Sequence, residues 1–122
     1  MNRENKLTGN KGEEKACEYM ISKGYAIIAR NWRIQGGEID IAAIKGETIV
    51  FVEVKTLPNA TPDMLASVLG IQKQKRIIKT SKRFLQNNRQ YSKYFVRFDV
   101  IINDMQGLPP VYHIENAFSE LL

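Results

Sequence analysis

The sequence predicts a mixed α/β domain, with helices packed on a central sheet. Three observations carry this. Apolar residues recur at helical spacing near the N-terminus and again over residues 64–87. Between those stretches lie two β-prone runs, Glu38 to Ile44 and Thr48 to Thr56. A further run rich in aromatic and β-branched residues, Tyr94 to Ile102, follows the second helical stretch.

Taken in order, residues 1–10 are polar and read as a flexible tail. Gly12 to Lys23 is a helix with Ala16, Cys17, Met20 and Ile21 on its apolar stripe and Gly24 as its stop. Tyr25 to Ala29 is a short strand that Arg30-Asn31-Trp32-Arg33 either extends or ends, and Gly36-Gly37 breaks the chain. Glu38 to Ile44 and Thr48 to Thr56 form an antiparallel hairpin around Lys45-Gly46. Leu57 to Asp63, with two prolines, is a loop, and Met64 to Asn87 is helical. After the Tyr94 to Ile102 strand come a turn at Asp104 to Pro110, an edge strand at Val111 to Ile114 and a short terminal helix at Asn116 to Leu122.

At 122 residues the chain forms a single domain spanning residues 1–122. With 43% hydrophobic and 25% charged residues it can bury one modest core and is not disordered by composition. No apolar run approaches the roughly 18 residues of a membrane span, and Met1 to Asn10 has no apolar signal region. A lone cysteine, Cys17, excludes an internal disulfide and a cysteine metal cluster. These features predict a cytoplasmic protein without membrane contact.

The net charge of +5 is unevenly spread. Nine of the 18 basic residues fall between Gln72 and Arg97, and no acidic residue lies between Asp63 and Asp99. The rest of the chain is net acidic. A basic block of this kind attracts phosphate backbones or acidic lipid, or simply forms a solvated face.

Polar residues inside the strands point to chemistry. In Thr48–Thr56, Ile49, Phe51, Glu53 and Lys55 alternate onto one face. In the preceding strand, Glu38, Asp40, Ala42 and Ile44 share a face. A two-residue turn at Lys45-Gly46 sets Asp40 opposite Phe51, one step from Glu53, so that Asp40, Glu53 and Lys55 converge. A one-residue slip separates them. Two adjacent carboxylates repel and favour a cation, and hard oxygen ligands suit Mg²⁺ or Mn²⁺. Lys55 can then orient or deprotonate a bound water or stabilise a pentavalent phosphate. The plainer alternative is an exposed Glu–Lys pair with Asp40 in a turn. Glu13 lies on the inward stripe of the first helix, where a carboxylate needs a partner or the helix dipole.

Gly36-Gly37-Glu38-Ile39-Asp40 followed by Phe51-Val52-Glu53-Val54-Lys55 resembles the D…(D/E)xK signature of the restriction-endonuclease-like, PD-(D/E)xK nucleases. The finer resemblance, from Gly12 to about Phe118, is to the YraN family of bacterial endonuclease-like proteins. It rests on Glu13 with Ala16, Lys23-Gly24-Tyr25, Arg30-Asn31-Trp32-Arg33, the two acidic blocks, Lys73, Arg97-Phe98-Asp99-Val100, and His113-Ile114 with Ala117-Phe118. The archaeal Holliday-junction resolvases share this plan. The resemblance implies a restriction-endonuclease-like core: three antiparallel strands, a crossover helix, then a strand parallel to the first. It implies a metal held by Asp40, Glu53 and the Val54 carbonyl, a catalytic Lys55, a further acidic participant in Glu13, and Lys73 near the site. DNA hydrolysis, on branched or structured DNA among other forms, is the implied activity. A binding module of the same fold that does not cut is the alternative, and a homodimer would supply the two sites that duplex cleavage needs.

The second long helix adds an independent expectation. Ile77, Ile78, Ser81, Phe84 and Leu85 fall on one arc, while Lys73, Lys75, Arg76, Lys79, Lys82 and Arg83 cover the remainder as a nucleic-acid face. Arg30 and Arg33 are expected to grip phosphate, and Trp32 between them either stacks on a base or anchors the core. Asp99 is expected to be structural, paired with Arg97 or Arg33. His113, the sole histidine, is not expected to bind zinc, and Cys17 is expected in the core.

Overall fold

The structure, a computed structural model, describes residues 3–120, with side chains described from Lys11 onward except at Ala66. The elements run α1 (Arg3–Ser22), β1 (Ala26–Ile34), β2 (Gly37–Lys45), β3 (Thr48–Thr56), a 3₁₀ segment (Pro62–Ser67), α2 (Ile71–Asn87), a 3₁₀ turn (Arg89–Tyr91), β4 (Phe95–Asn103) and β5 (Val111–Phe118). The five strands form one sheet in sequence order. β1–β2, β2–β3 and β4–β5 pair antiparallel, and β3–β4 pair parallel. A parallel pair cannot be joined by a tight turn, and α2 supplies the crossover. β4 therefore runs parallel to both β3 and β1. The α/β class and the mixed sheet flanked by helices are as the sequence predicts, consistent with a restriction-endonuclease-like core.

β3 shows why the sheet needs a helix on each side. Its residues alternate between two covered faces, so both sets are apolar. Val50 and Val52 join Ala16, Cys17 and Met20 of α1 in one buried cluster. Ile49 and Phe51 join Ile77 and Phe84 of α2, with Phe98, Val100 and Ile102 of β4, in the other. Cys17 is a core residue whose thiol burial pushes its pKa up. Trp32 packs edge-on against Phe84 at 5.2 Å, so it anchors β1 to α2, the second of its two expected roles.

Four boundaries differ from expectation. α1 begins at Arg3, within the stretch read as a tail, whose first residues, Met1 and Asn2, lie outside the described residues. The helix expected from Met64 is divided: Pro62 starts a separate 3₁₀ segment, and Gly70, extended at φ −67° and ψ 159°, caps the start of α2 at Ile71. The hairpin turn is Gly46-Glu47, because Lys45 pairs with Thr48. The expected terminal helix is instead a continuation of β5 through Phe118. Asn116 adopts φ 51°, which a helix does not accommodate, and Phe118 stacks on Phe98 at 5.2 Å. Leu121 and Leu122 lie outside the described residues. Among the described residues no helix is long and apolar enough to cross a membrane.

Candidate active site

The β2–β3 register decides whether the carboxylates meet. Ala42, not Asp40, faces Phe51, and Ile41 faces Val52. The pairing ends at Ile41–Val52, and Asp40 lies just past it, close enough for the charge of Glu53 to act on its carboxyl. The shift from the expected pairing is two residues, so side-chain parity survives over the paired residues, Ile41 to Lys45. The backbone N–H of Val54 donates to Asp40 Oδ2 at 2.9 Å.

Both carboxylates are buried: Asp40 is 8% exposed and Glu53 6%. Burial, then the charge of Glu53, pushes the Asp40 carboxyl up to about 7, against the partial relief of the Val54 hydrogen bond. Two lysines answer Glu53. Lys73 Nζ, reaching back from the first turn of α2, lies 3.2 Å from Glu53 Oε1, and Lys55 Nζ lies 3.6 Å from the same oxygen. Burial alone would lower the Lys73 pKa, but Glu53 overrides it and holds it raised.

Glu13 approaches from the opposite layer. α1 is pinned to the ends of β3 and β4 at Gly12, whose carbonyl accepts a 2.9 Å bond from buried Asn103 Nδ2. A Cβ at Gly12 would lie 2.4 Å from Thr56 Oγ1, so only glycine allows this approach. The Glu13 carboxylate thereby contributes to raising Asp40, and its buried Oε2 has no hydrogen-bond partner among the described residues.

The basic residues expected to contact nucleic acid fall into separate places. Arg30 pairs with Glu14 of α1 at 3.0 Å. Arg33, Lys73 and Arg76 line a cavity of about 370 Å³ between the β1–β2 turn and α2. Lys75, Lys79 and Lys82 line a second groove, of about 290 Å³, with Ser119 and Glu120, and Lys82 pairs with Glu120. Arg83 is exposed on α2.

Two features were not anticipated. Glu38, two residues before Asp40, lines the first cavity and pairs with Arg33 at 3.2 Å. Its membership of the acidic block was the available signal. His113 is also engaged: its Nε2–H donates to Asp99 Oδ2 at 2.6 Å, and the Tyr19 hydroxyl lies 3.2 Å from its Nδ1. Arg97 grips Asp99 in a fork, at 2.9 and 2.8 Å, and donates to Tyr25 Oη at 2.6 Å. Burial alone would raise the Asp99 carboxyl, yet His113, Arg97 and the Asn116 N–H hold it low. Asp99 is thus structural, with Arg97 as the partner.

Residues 12–102 match the model of the uncharacterised protein family UPF0102. A UPF0102 protein of Treponema pallidum is 44% identical over 128 residues, covering all of both chains. One from Geobacter metallireducens is 44% identical over 97% of each chain, and one from Pseudomonas putida is 35% identical over 90% of each.

Proposed function

The chain belongs to the uncharacterised protein family UPF0102, and from that starting point we propose that it is a metal-dependent nuclease-like protein of the PD-(D/E)xK superfamily, hydrolysing phosphodiester bonds of DNA. The observation that carries this reading is the pair of buried carboxylates, Asp40 and Glu53, set side by side with two lysines on Glu53. A soluble core has little use for such a pair, since each charge is costly away from water.

The donor set suits Mg²⁺ or Mn²⁺. Among the described residues no group of three or more His, Cys, Asp or Glu side chains is placed to hold a metal ion by itself. Mg²⁺ asks for less: one or two carboxylates, with water and substrate phosphate completing its shell. Asp40, Glu53 and the Val54 carbonyl would hold it, and the orphaned Oε2 of Glu13 is a further oxygen nearby. Bound there, the ion supplies charge neutralisation at phosphate oxygens and a more acidic water. The chain's own groups do the remainder. Lys55 orients the attacking water or donates to the developing oxyanion, and Lys73 balances Glu53 and draws the phosphate toward it.

The test is cleavage of duplex, flapped and four-way DNA in Mg²⁺ or Mn²⁺. Cutting that Asp40→Asn and Glu53→Gln each abolish supports the reading. A second reading is favoured by the same lysines, which already neutralise Glu53 without a metal: a module that binds DNA or recruits a partner without cleaving. DNA binding with no cutting of any substrate under either metal selects it.

A further inference from the structure

We propose that the cavity between the β1–β2 turn and α2 is a subsite for one nucleotide of a single DNA strand, so that the strand entering the site is unpaired. This rests on the phosphodiesterase reading and names its substrate class. The cavity, about 370 Å³, lies near the small end of pockets that hold small molecules, roughly 300–1,000 Å³. It has room for one nucleotide and none for a duplex.

Its charge suits a phosphodiester. Arg33, Lys73 and Arg76 face one carboxylate, Glu38. Arg33 is paired with Glu38, but among the described residues Arg76 has no acidic partner. Lys73 belongs to both places: it lines the cavity, and its Nζ is 3.2 Å from Glu53 Oε1. A strand whose phosphate sits at Arg76 is thus one lysine away from the carboxylate pair.

The walls are built for close approach. A Cβ on Gly37 would lie 2.0 Å from Thr80 Oγ1, so the hairpin seats directly on α2 and closes the floor. A Cβ on Gly36 would meet nothing within 4 Å. The backbone at the rim is therefore bare, where a sugar-phosphate chain can lie against it.

The experiment is fluorescence anisotropy of labelled dT8 in Ca²⁺, with a blunt duplex beside it, over a range of salt. The wild type should bind dT8 more tightly than the duplex. Arg33→Ala with Arg76→Ala should weaken dT8 binding about tenfold or more. It should also lower the log–log salt slope by about 1.4, or about 0.7 per single-strand phosphate contact. Arg89→Ala with Lys93→Ala removes the same charge from exposed positions beyond α2 and should leave dT8 affinity within about twofold. Should the double variant fold poorly by thermal melting, Arg76→Gln alone should lower the slope by about 0.7. Wild-type affinity and slope in the groove variants, or equal losses in the control, overturn the proposal. So does a wild type that prefers the blunt duplex or binds no DNA. Because the assay needs no turnover, dT8 held through Arg33 and Arg76 without cleavage leaves the groove standing and removes only the phosphodiesterase.

Discussion

A carboxylate 8% exposed, beside another 6% exposed, is ionised against the pull of its surroundings. The Asp40 carboxyl, raised by burial and then by Glu53 from 3.8 to about 7, binds a proton in the folded state that the unfolded chain has already released. Its contribution to stability is complete below pH 3.8 and is lost as pH rises through about 7. Asp40→Asn keeps an oxygen to accept the Val54 N–H and removes the charge. In EDTA the melting temperature of Asp40→Asn should match that of the wild type near pH 4. It should exceed it by several degrees at pH 8, at about 3–6 °C per kcal/mol for this size. A difference that stays flat with pH contradicts the shift. Lys55 offers a separate test. Losing one electrostatic contact to a transition state costs about 10²–10³ in rate, whereas one lysine among many adds little to DNA affinity. Lys55→Ala should bind DNA nearly normally and cleave far more slowly, which single-turnover cleavage beside anisotropy would reveal. Wild-type cleavage in a folded variant removes Lys55 from the chemistry.

Elements place these residues, and glycines set how closely the elements approach. Gly37 opens β2 against Thr80, which is 2% exposed, and any side chain at 37 must displace the threonine. Gly37→Ala should cost about 1–3 kcal/mol by overpacking. Adding Thr80→Ala, which removes the clashing Oγ1, should restore part of it in urea unfolding. Equal losses in the single and double variants mean that the clash is not the cause. The strand faces were legible in the sequence because parity alone determines them: Glu53 and Lys55 follow Ile49 and Phe51 onto the α2 side whatever the turn. The register was not, since Lys45-Gly46 and Gly46-Glu47 are both acceptable turns. The shift between them is two residues, so the converging carboxylates survive the error. Lys73 was readable only through the resemblance. Periodicity marks it as one of several exposed lysines, and its approach to Glu53 needs the break at Gly70 that starts α2 where it does. The His113–Asp99 bond joins neighbouring strands across a register irregularity, which no local pattern reports.

Across the whole molecule, charge is sorted by layer. The crossover helix carries an uninterrupted basic run on the layer that also holds Lys55, while its inner face, Ile77, Thr80, Ser81 and Phe84, is buried on the sheet. The cations of α2 then have two exits: Arg76 with Arg33 toward the β1–β2 turn, and Lys75, Lys79 and Lys82 on the outer flank toward Glu120. A single strand can occupy the first alone. A duplex, for which the first has no room, can rest over the second, where each phosphate contact releases a counterion and steepens the salt dependence by about 0.9 in log–log slope. Duplex affinity should therefore fall steeply with salt. Reversing Lys75, Lys79 and Lys82 together to Glu should weaken it and flatten the slope by up to about 2.7 if all three meet phosphates. All three are exposed, so the fold should tolerate the change apart from the Lys82–Glu120 pair, a surface contact worth about 1 kcal/mol at most. Thermal melting separates that cost from the binding effect. Unchanged affinity and slope in the folded triple variant would make the outer flank a solvated surface and confine nucleic-acid contact to the Arg33–Arg76 side of the helix.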